Sequence, residues 1–292
     1  PPEEIFSGGY DYFSSTSPSW VQEAARKAGC LTSKFNLGKD SLVVEVGSND
    51  GYLLRHFAEL GIGVLGVDPA EDCADEAIAY GVPTVVEFFG KAVAEQLVKC
   101  GYRPDIVTGT NVFAHCPDIN DFVAGLATLV KPEGVVIMEF PHLLTLIEGV
   151  QFDTIYHEHY FYFSLLAVMK VFEAHGLHVY DVEELPTHGG SLRVYARTDM
   201  EKVWTPSMCD VLRREGDARL HTPEGYEGFA AKVKEVGWSS AEFLSIQVGF
   251  HKKKVAAYGA PAKGSTFLNW LSSGYQKCFD FTVDDSPHKQ GK

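Results

Sequence analysis

Positive charge is scarce in this 292-residue chain: 25 Lys and Arg stand against 39 Asp and Glu, a formal net charge of −14. That balance argues against binding nucleic acid or an anionic membrane surface through a general basic face. It leaves room for a local basic site for a phosphate. Also lacking is any C-x-x-C pair among Cys30, Cys73, Cys100, Cys116, Cys209 and Cys278. A zinc knuckle or dithiol redox motif is therefore unsupported, and free thiols in a reducing cytoplasm are expected. No apolar run is long enough to span a bilayer, and no signal peptide is recognisable. The chain starts at Pro1 without Met and ends in the polar stretch from Ser286 to Lys292, which reads as part of a longer protein. What is present is ordinary for a globular enzyme of one or two domains: 45% hydrophobic and 22% charged residues.

From Leu42 onward strand and helix patterns alternate. Strands are expected at 42–46, 62–67, 82–86, 104–109 and 134–139, and helices at 51–60, 71–80, 90–100 and 119–130. Gly61, Gly81 and Gly101 each follow a helical stretch, as glycines just past a helix end do. Repeated β-α units of this length imply a doubly wound parallel sheet. Two further strands, 177–183 and 191–197, flank Pro186-Thr187-His188-Gly189-Gly190 and are expected to pair antiparallel. The fold class is therefore α/β, with the sheet of a class I methyltransferase: Rossmann-like and closed by an antiparallel hairpin. Ahead of it, residues 1–40 form an aromatic arm (Phe6, Tyr10, Tyr12, Phe13, Trp20) and a helix from Trp20 to Cys30 capped by Ser19. Ser164 is expected to cap a helix ending near His175. Residues 41–199 are assigned to the main domain. Residues 200–292 are assigned to a partial second α/β domain, with helices over 204–220 and 225–250, strands at 254–259 and 279–284, and a loop at 260–266.

The first strand ends in Val43-Val44-Glu45-Val46-Gly47-Ser48-Asn49-Asp50-Gly51, and the second ends in Asp68. An acid at that strand end can accept both ribose hydroxyls of a nucleoside cofactor. A dinucleotide loop needs G-x-G-x-x-G, and here Asn49 occupies the place of the second glycine. The stretch from Glu45 to Gly51 instead looks like the first motif of S-adenosylmethionine-dependent methyltransferases. Contacts to that cofactor are expected from Glu45, Gly47, Asn49, Asp50, Gly51, Asp68, Pro69, Phe88 and Asn111, all near the carboxyl ends of expected strands. The loop from Gly259 to Thr266 fails the Walker pattern, because Ser265 and not Lys follows Gly264. Lys263 is either a phosphate contact or a surface lysine.

A dense set of acid/base side chains follows the fifth strand, in Tyr156-His157-Glu158-His159. His157 and His159 with His115 or His142 can be read as metal ligands, but H-x-H alone is a weak ligand signal and methyl transfer needs no metal. No metal is assigned. An aromatic-rich histidine cluster in the core is a further reading. Acid/base work is preferred, because histidine titrates near neutral pH.

With these residues in view, the chain resembles the sugar C-methyltransferases of antibiotic and deoxysugar biosynthesis. The resemblance rests on Tyr10-Asp11-Tyr12-Phe13-Ser14-Ser15, Val44 to Gly51, Asn111-Val112-Phe113-Ala114-His115, Tyr156 to His159 and Tyr258-Gly259-Ala260-Pro261-Ala262-Lys263-Gly264. It runs over essentially the whole chain. It implies S-adenosylmethionine as cofactor, an NDP-deoxysugar as substrate partner, and methylation of carbon 3 of a 4-keto sugar. Members of that family carry an N-terminal zinc domain, whose cysteine cluster is missing here, and a C-terminal Rossmann-like domain within which this chain stops. Zinc would belong only to that missing domain.

The resemblance implies His159 as the base. Glu158 orients the base or holds a sugar hydroxyl. Tyr156 and His115 bond the developing enolate oxygen. Tyr10 (or Tyr12) closes over the site. Tyr12, His142, His188, Ser191, Arg193 and Lys263 are expected on the sugar or diphosphate, with Arg193 equally readable as a surface or sheet-edge residue. A monomer is compatible with the chain. Competing readings are an NAD-dependent sugar dehydrogenase or epimerase, a non-catalytic binding module, and methylation of another small-molecule acceptor.

Overall fold

The structure, a computed structural model, describes residues 2–6, 10, 12–199, 203–271, 273–284, 289 and 291. Asp11, the expected boundary at residue 200 and most of the stretch from Ser286 to Lys292 lie outside the described residues. The chain divides into two compact units. The first is Pro1–His142 with Tyr160–Arg214; the second is Leu143–His159 with Glu215–Lys292. The division departs from the contiguous one expected from sequence, because the segment 143–159 groups with the C-terminal residues.

In the first unit the helices are α1 (Pro2–Phe6), α2 (Pro18–Lys34), α3 (Leu54–Glu59), α4 (Glu71–Ala79), α5 (Lys91–Lys99) and α6 (Ile119–Leu129). The strands are β1 (Leu42–Val46), β2 (Gly63–Val67), β3 (Thr84–Val85), β4 (Ile106–Thr110), β5 (Val135–Pro141), β6 (His178–Leu185) and β7 (Ser191–Arg197). The sheet order is β3-β2-β1-β4-β5-β7-β6. The first five strands are parallel, and β7 runs antiparallel to both β5 and β6. This is the doubly wound sheet with an antiparallel terminal hairpin that the sequence pattern implies. β7 lies inside the sheet, and β6 forms the edge.

Both faces of the sheet are covered, so the strands are nearly continuous apolar runs. Side chains alternate across each strand. Val44 and Val46 face a core built with Leu97, Phe122, Leu126 and Phe172, while Val43 faces Ala24, Ala28, Leu31, Leu53 and Phe57. Burying one such Leu or Phe side chain contributes roughly 1.5–3 kcal/mol. β3 is shorter than expected because Pro83 has no N–H for a ladder; its carbonyl accepts from Gly66 N at 2.8 Å.

Pro18 stands at the first turn of α2, where its fixed φ suits a helix, so the helix starts before Trp20. Ser17 and not Ser19 holds the N-cap position, with no side-chain cap bond. Ser164 does cap the following helix of this unit, accepting from Ala167 N; that helix spans Leu165–Ala174. Among the described residues no helix is long and apolar enough to cross a membrane.

The second unit contains α7 (Leu143–Glu148), placed before the helix just named, which is α8. α9 (Pro206–Asp217) carries the chain from the first unit into the second, the division falling after Arg214. Then come α10 (Phe229–Leu244), a π-helical turn (Ser245–Phe250), β8 (Val255–Tyr258), α11 (Ala262–Trp270), α12 (Ser273–Gln276) and β9 (Phe279–Val283). β8 and β9 pair in parallel across α11, a β-α-β unit. The stretch 260–266 is therefore not all loop: α11 begins at Ala262, and Lys263 sits in its first turn. The Phe152 ring packs at a tilt against Trp270 at 4.7 Å and Phe267 at 6.3 Å, which is why segment 143–159 groups with this unit.

Candidate active site

The loop after β1 turns sharply. Gly47 has φ 66°, and a Cβ there would lie 2.8 Å from the Val112 side chain, so only glycine fits between the ends of β1 and β4. Asn49 follows at φ 49°. Its amide donates to Asp68 Oδ2 at 2.8 Å, and Ala70 N donates to Asp68 Oδ1 at 2.9 Å. Asp68 is buried at the end of β2 and its carboxyl is raised above the usual range by that burial, with the two amide bonds opposing the rise. Pro69 is half-buried beside it and Phe88 is exposed.

The side chains of Asn49 and Asp50 bind the N-terminal arm. Ser14 N donates to Asn49 Oδ1 at 2.8 Å, Asn49 Nδ2 donates to the Tyr12 carbonyl at 2.9 Å, and Ser15 N donates to Asp50 Oδ2 at 2.9 Å. The sequence reading assigned these two side chains to the cofactor; here three of their four polar atoms hold the arm. Asp50 Oδ1 is buried without a hydrogen-bond partner, as is Asn111 Oδ1 in the turn after β4. Asn111 has φ 58° and its amide donates to Glu139 O at 2.8 Å. Unpartnered buried acceptors beside a tight Gly47 turn fit a ligand that brings cationic and hydroxyl donors, as S-adenosylmethionine does.

The arm also reaches His115. The Phe6 ring meets His115 edge-on at 5.9 Å, Tyr10 lies 5.2 Å from Phe6, and the half-exposed Tyr12 lies 6.5 Å from Tyr10. His142, at the end of β5, is buried and its amide donates to Gly190 O. His188 has φ 52° and its ring meets Trp20 edge-on at 5.3 Å. Ser191 is buried, its hydroxyl donating to Thr187 O.

Arg193 corrects an expectation. It is neither a surface nor an edge residue. It lies inside β7 and donates to Glu139 Oε2 from Nε and Nη2, both at 3.1 Å, and to Glu183 Oε2 from Nη1 at 3.1 Å. Three of its five N–H groups thus bond two carboxylates of its own sheet.

Glu45, expected as a cofactor contact, stands near the carboxyl end of β1. It is fully buried within β1, and neither carboxylate oxygen has a hydrogen-bond partner. Burial pushes its carboxyl well above the usual range, and Lys27 opposes the shift in part. Burial lowers the Lys27 ammonium in turn, with Glu139 opposing. Lys27 and Arg193 thus share Glu139 within one buried row, and Arg193 also meets Glu183.

In the second unit, His159 Nδ1–H donates to the Thr154 carbonyl at 2.9 Å. A carbonyl can only accept, so Nδ1 carries the hydrogen and, in the neutral ring, Nε2 holds the basic lone pair. The Tyr156 ring lies 4.2 Å from the imidazole, and His159 N donates to Tyr156 O at 3.0 Å, closing a tight turn. Glu158 is half-buried and His157 exposed. Lys263 is half-buried. Among the described residues no three His, Cys, Asp or Glu side chains are grouped to hold a metal ion.

Sequence reasoning missed Lys27 and Glu139. Each left a signal: a lysine within the apolar stripe Ala24, Ala28, Leu31, and a glutamate inside the apolar run from Val135 to Phe140.

Comparison with known proteins agrees with this architecture. A methyltransferase domain model matches residues 20–182, and a C-methyltransferase C-terminal domain model matches residues 186–292. C-methyltransferase NovU of Streptomyces niveus is 36% identical over 290 residues, which cover 99% of this chain and 69% of NovU. A ubiquinone biosynthesis O-methyltransferase of Bordetella avium is 34% identical over 119 residues, 40% of this chain and 45% of that protein. Among solved structures, the magnesium protoporphyrin IX methyltransferase of Synechocystis PCC 6803 with bound S-adenosylmethionine aligns over 60% of this chain and 78% of its own, with 18% identity and a TM-score of 0.45. On the two domain models and the match to NovU over 99% of this chain, the chain belongs to the S-adenosylmethionine-dependent C-methyltransferases.

Proposed function

We propose that the enzyme methylates carbon 3 of an NDP-4-keto-deoxysugar, with His159 as the base. The observation that carries this reading is the bond from His159 Nδ1–H to the Thr154 carbonyl, which leaves Nε2 as the basic atom of a neutral imidazole. A hydrogen on the carbon beside a ketone is weakly acidic. His159 Nε2 takes that proton, and the electron pair of the C–H bond passes into the enolate. Tyr156 and His115 donate hydrogen bonds to the enolate oxygen, where charge grows in the transition state. Glu158 holds a sugar hydroxyl or steadies the imidazole. When bound, S-adenosylmethionine supplies an electrophilic methyl on a sulfonium, with a neutral thioether as leaving group. Asp68, Asn111 and the Gly47–Gly51 turn hold it, and Tyr10 and Tyr12 cover it from the arm. Lys263, in the first turn of α11, meets the sugar diphosphate, where helix amides also favour an anion.

Mass spectrometry of products from labelled S-adenosylmethionine and a panel of NDP-4-keto-sugars tests the substrate. Methyl gain on carbon 3 is the expected result; methyl transfer to oxygen, or to none of the panel, refutes the assignment. Exchange of the carbon-3 hydrogen in deuterated water, lost on His159→Asn, tests the base.

A further inference from the structure

On the face of the sheet covered by α2, the deep positions are apolar: Val43, Ile106, Val135, Ile137 and Tyr195. Toward the carboxyl ends of the strands the same face turns polar. Glu45, Thr108 and Thr110, Glu139 and Arg193 stand on β1, β4, β5 and β7, which are neighbours in the sheet. Lys27 enters this row from α2 at 4% exposure. Its ammonium donates to Thr110 Oγ1 at 2.6 Å and lies 3.5 Å from Glu139 Oε2.

Stability does not explain an ammonium here. Replacing a buried ion pair by apolar side chains is often neutral or stabilising, and losing one partner is costly only where the other is left without a counter-charge. Arg193 would still pair with Glu139 if Lys27 were absent. What the ammonium does contribute is direction. Thr110 is the last residue of β4, and Asn111 turns next into the left-handed region, unfavourable for a residue with a Cβ. The Asn111 amide is held by the Glu139 carbonyl. The side chain at 110 and the backbone at 111 are thus fixed by the two members of one ion pair. Val112 follows, packed so closely on Gly47 that a shifted β4 turn would displace the first loop as well.

We propose that Lys27 is a positioning residue for the cofactor: through the Thr110 hydroxyl it holds the β4 turn so that Asn111 meets the ligand preorganised. The inference rests on Asn111 being a cofactor contact, not on the identity of the methyl acceptor.

Calorimetric titration with S-adenosylhomocysteine tests it without any acceptor. Asn111→Ala checks the underlying contact and should weaken binding about tenfold, the scale of one lost hydrogen bond to a charged or well-ordered group. Lys27→Met and Thr110→Val should each weaken binding about five- to tenfold. The double variant should be no worse than Thr110→Val alone, because Lys27 acts only through that hydroxyl, which Tyr52 also meets. Thr110→Ser, which keeps the hydroxyl, should restore wild-type affinity. The Tm of ligand-free Lys27→Met should stay level or rise. If Lys27→Met binds like wild type while Asn111→Ala is impaired, the positioning role is wrong and the Asn111 contact stands. If Asn111→Ala binds like wild type, both fall. Multiplying effects in the double variant, or failure of Thr110→Ser to restore affinity, also overturns the proposal. Should Lys27→Met not fold, the near-isosteric Thr110→Val and its Ser counterpart decide alone.

Discussion

The turn after β1 and the turn at Tyr156–His159 are both short and both carry polar side chains, yet they are built in opposite ways. In the first, the chain spends its side chains on itself: Asn49 and Asp50 hold the arm, and Asp68 takes two backbone amides. In the second, the backbone does the holding. The Thr154 and Tyr156 carbonyls accept from the ring and amide of His159, which orients the imidazole and sets its tautomer. The first arrangement suits a surface that shapes a ligand cradle. The second suits a group that must exchange a proton.

Substitutions can break this comparison. The largest expected effect is at His159. His159→Asn should lower kcat by about 10³-fold, within the range for a lost general base, while S-adenosylhomocysteine affinity stays within about twofold of wild type. Steady-state kinetics and calorimetry on the same preparation read both, and equal kcat would remove His159 as base. Next is Gly47→Ala. The added methyl would meet Val112 at 2.8 Å from a backbone with φ 66°, a strain of about 1–3 kcal/mol, so binding of S-adenosylhomocysteine should fall by roughly 10–100-fold.

Asn49→Ala removes two bonds to the arm, each contributing about 1 kcal/mol. Limited proteolysis should then cut the arm near Tyr12 several-fold faster, with His159-dependent proton exchange unchanged. An arm as resistant as in wild type would mean that Asn49 is no latch.

The smallest effect concerns pH. Glu45 keeps its proton in the folded protein above the pH at which the unfolded chain loses it, about 4.3. The native state therefore binds more protons across that window, and stability falls as pH rises through it. Glu45→Gln does not titrate. Its Tm should exceed that of wild type by about 2–4 °C at neutral pH, and scanning calorimetry should show less of the decline expected of wild type above about pH 4.3. Parallel curves for the two proteins would show that Glu45 is ionised in the fold.

Much of this was legible in the residues. The alternation of β-branched runs with helical spacing predicts the parallel sheet, and Gly61, Gly81 and Gly101 mark helix ends with positive φ. Ser164 is a correct cap because Ser-x-x-Ala places a hydroxyl where only a local amide can meet it. The site was less legible wherever partners lie far apart in sequence. Arg193 reads as a free cation until β7 is inserted beside β5, which puts Glu139 opposite it in register. Lys27 lies in the apolar stripe of its helix, but its partner is named only when α2 is laid on the sheet. Segment 143–159 reads as part of the first domain until Phe152 finds Trp270.

The sequence by itself determined the fold class and the methyl donor. Periodicity and a Gly-x-Asn-Asp-Gly turn are local, and local geometry follows from nearest neighbours along the chain. Only the tertiary structure decided which charged groups are buried with a partner, and so which remain for a ligand. Burial and pairing depend on strand order and on which helix covers which face, and that information is spread over residues more than a hundred positions apart, as Lys27 and Glu139 are.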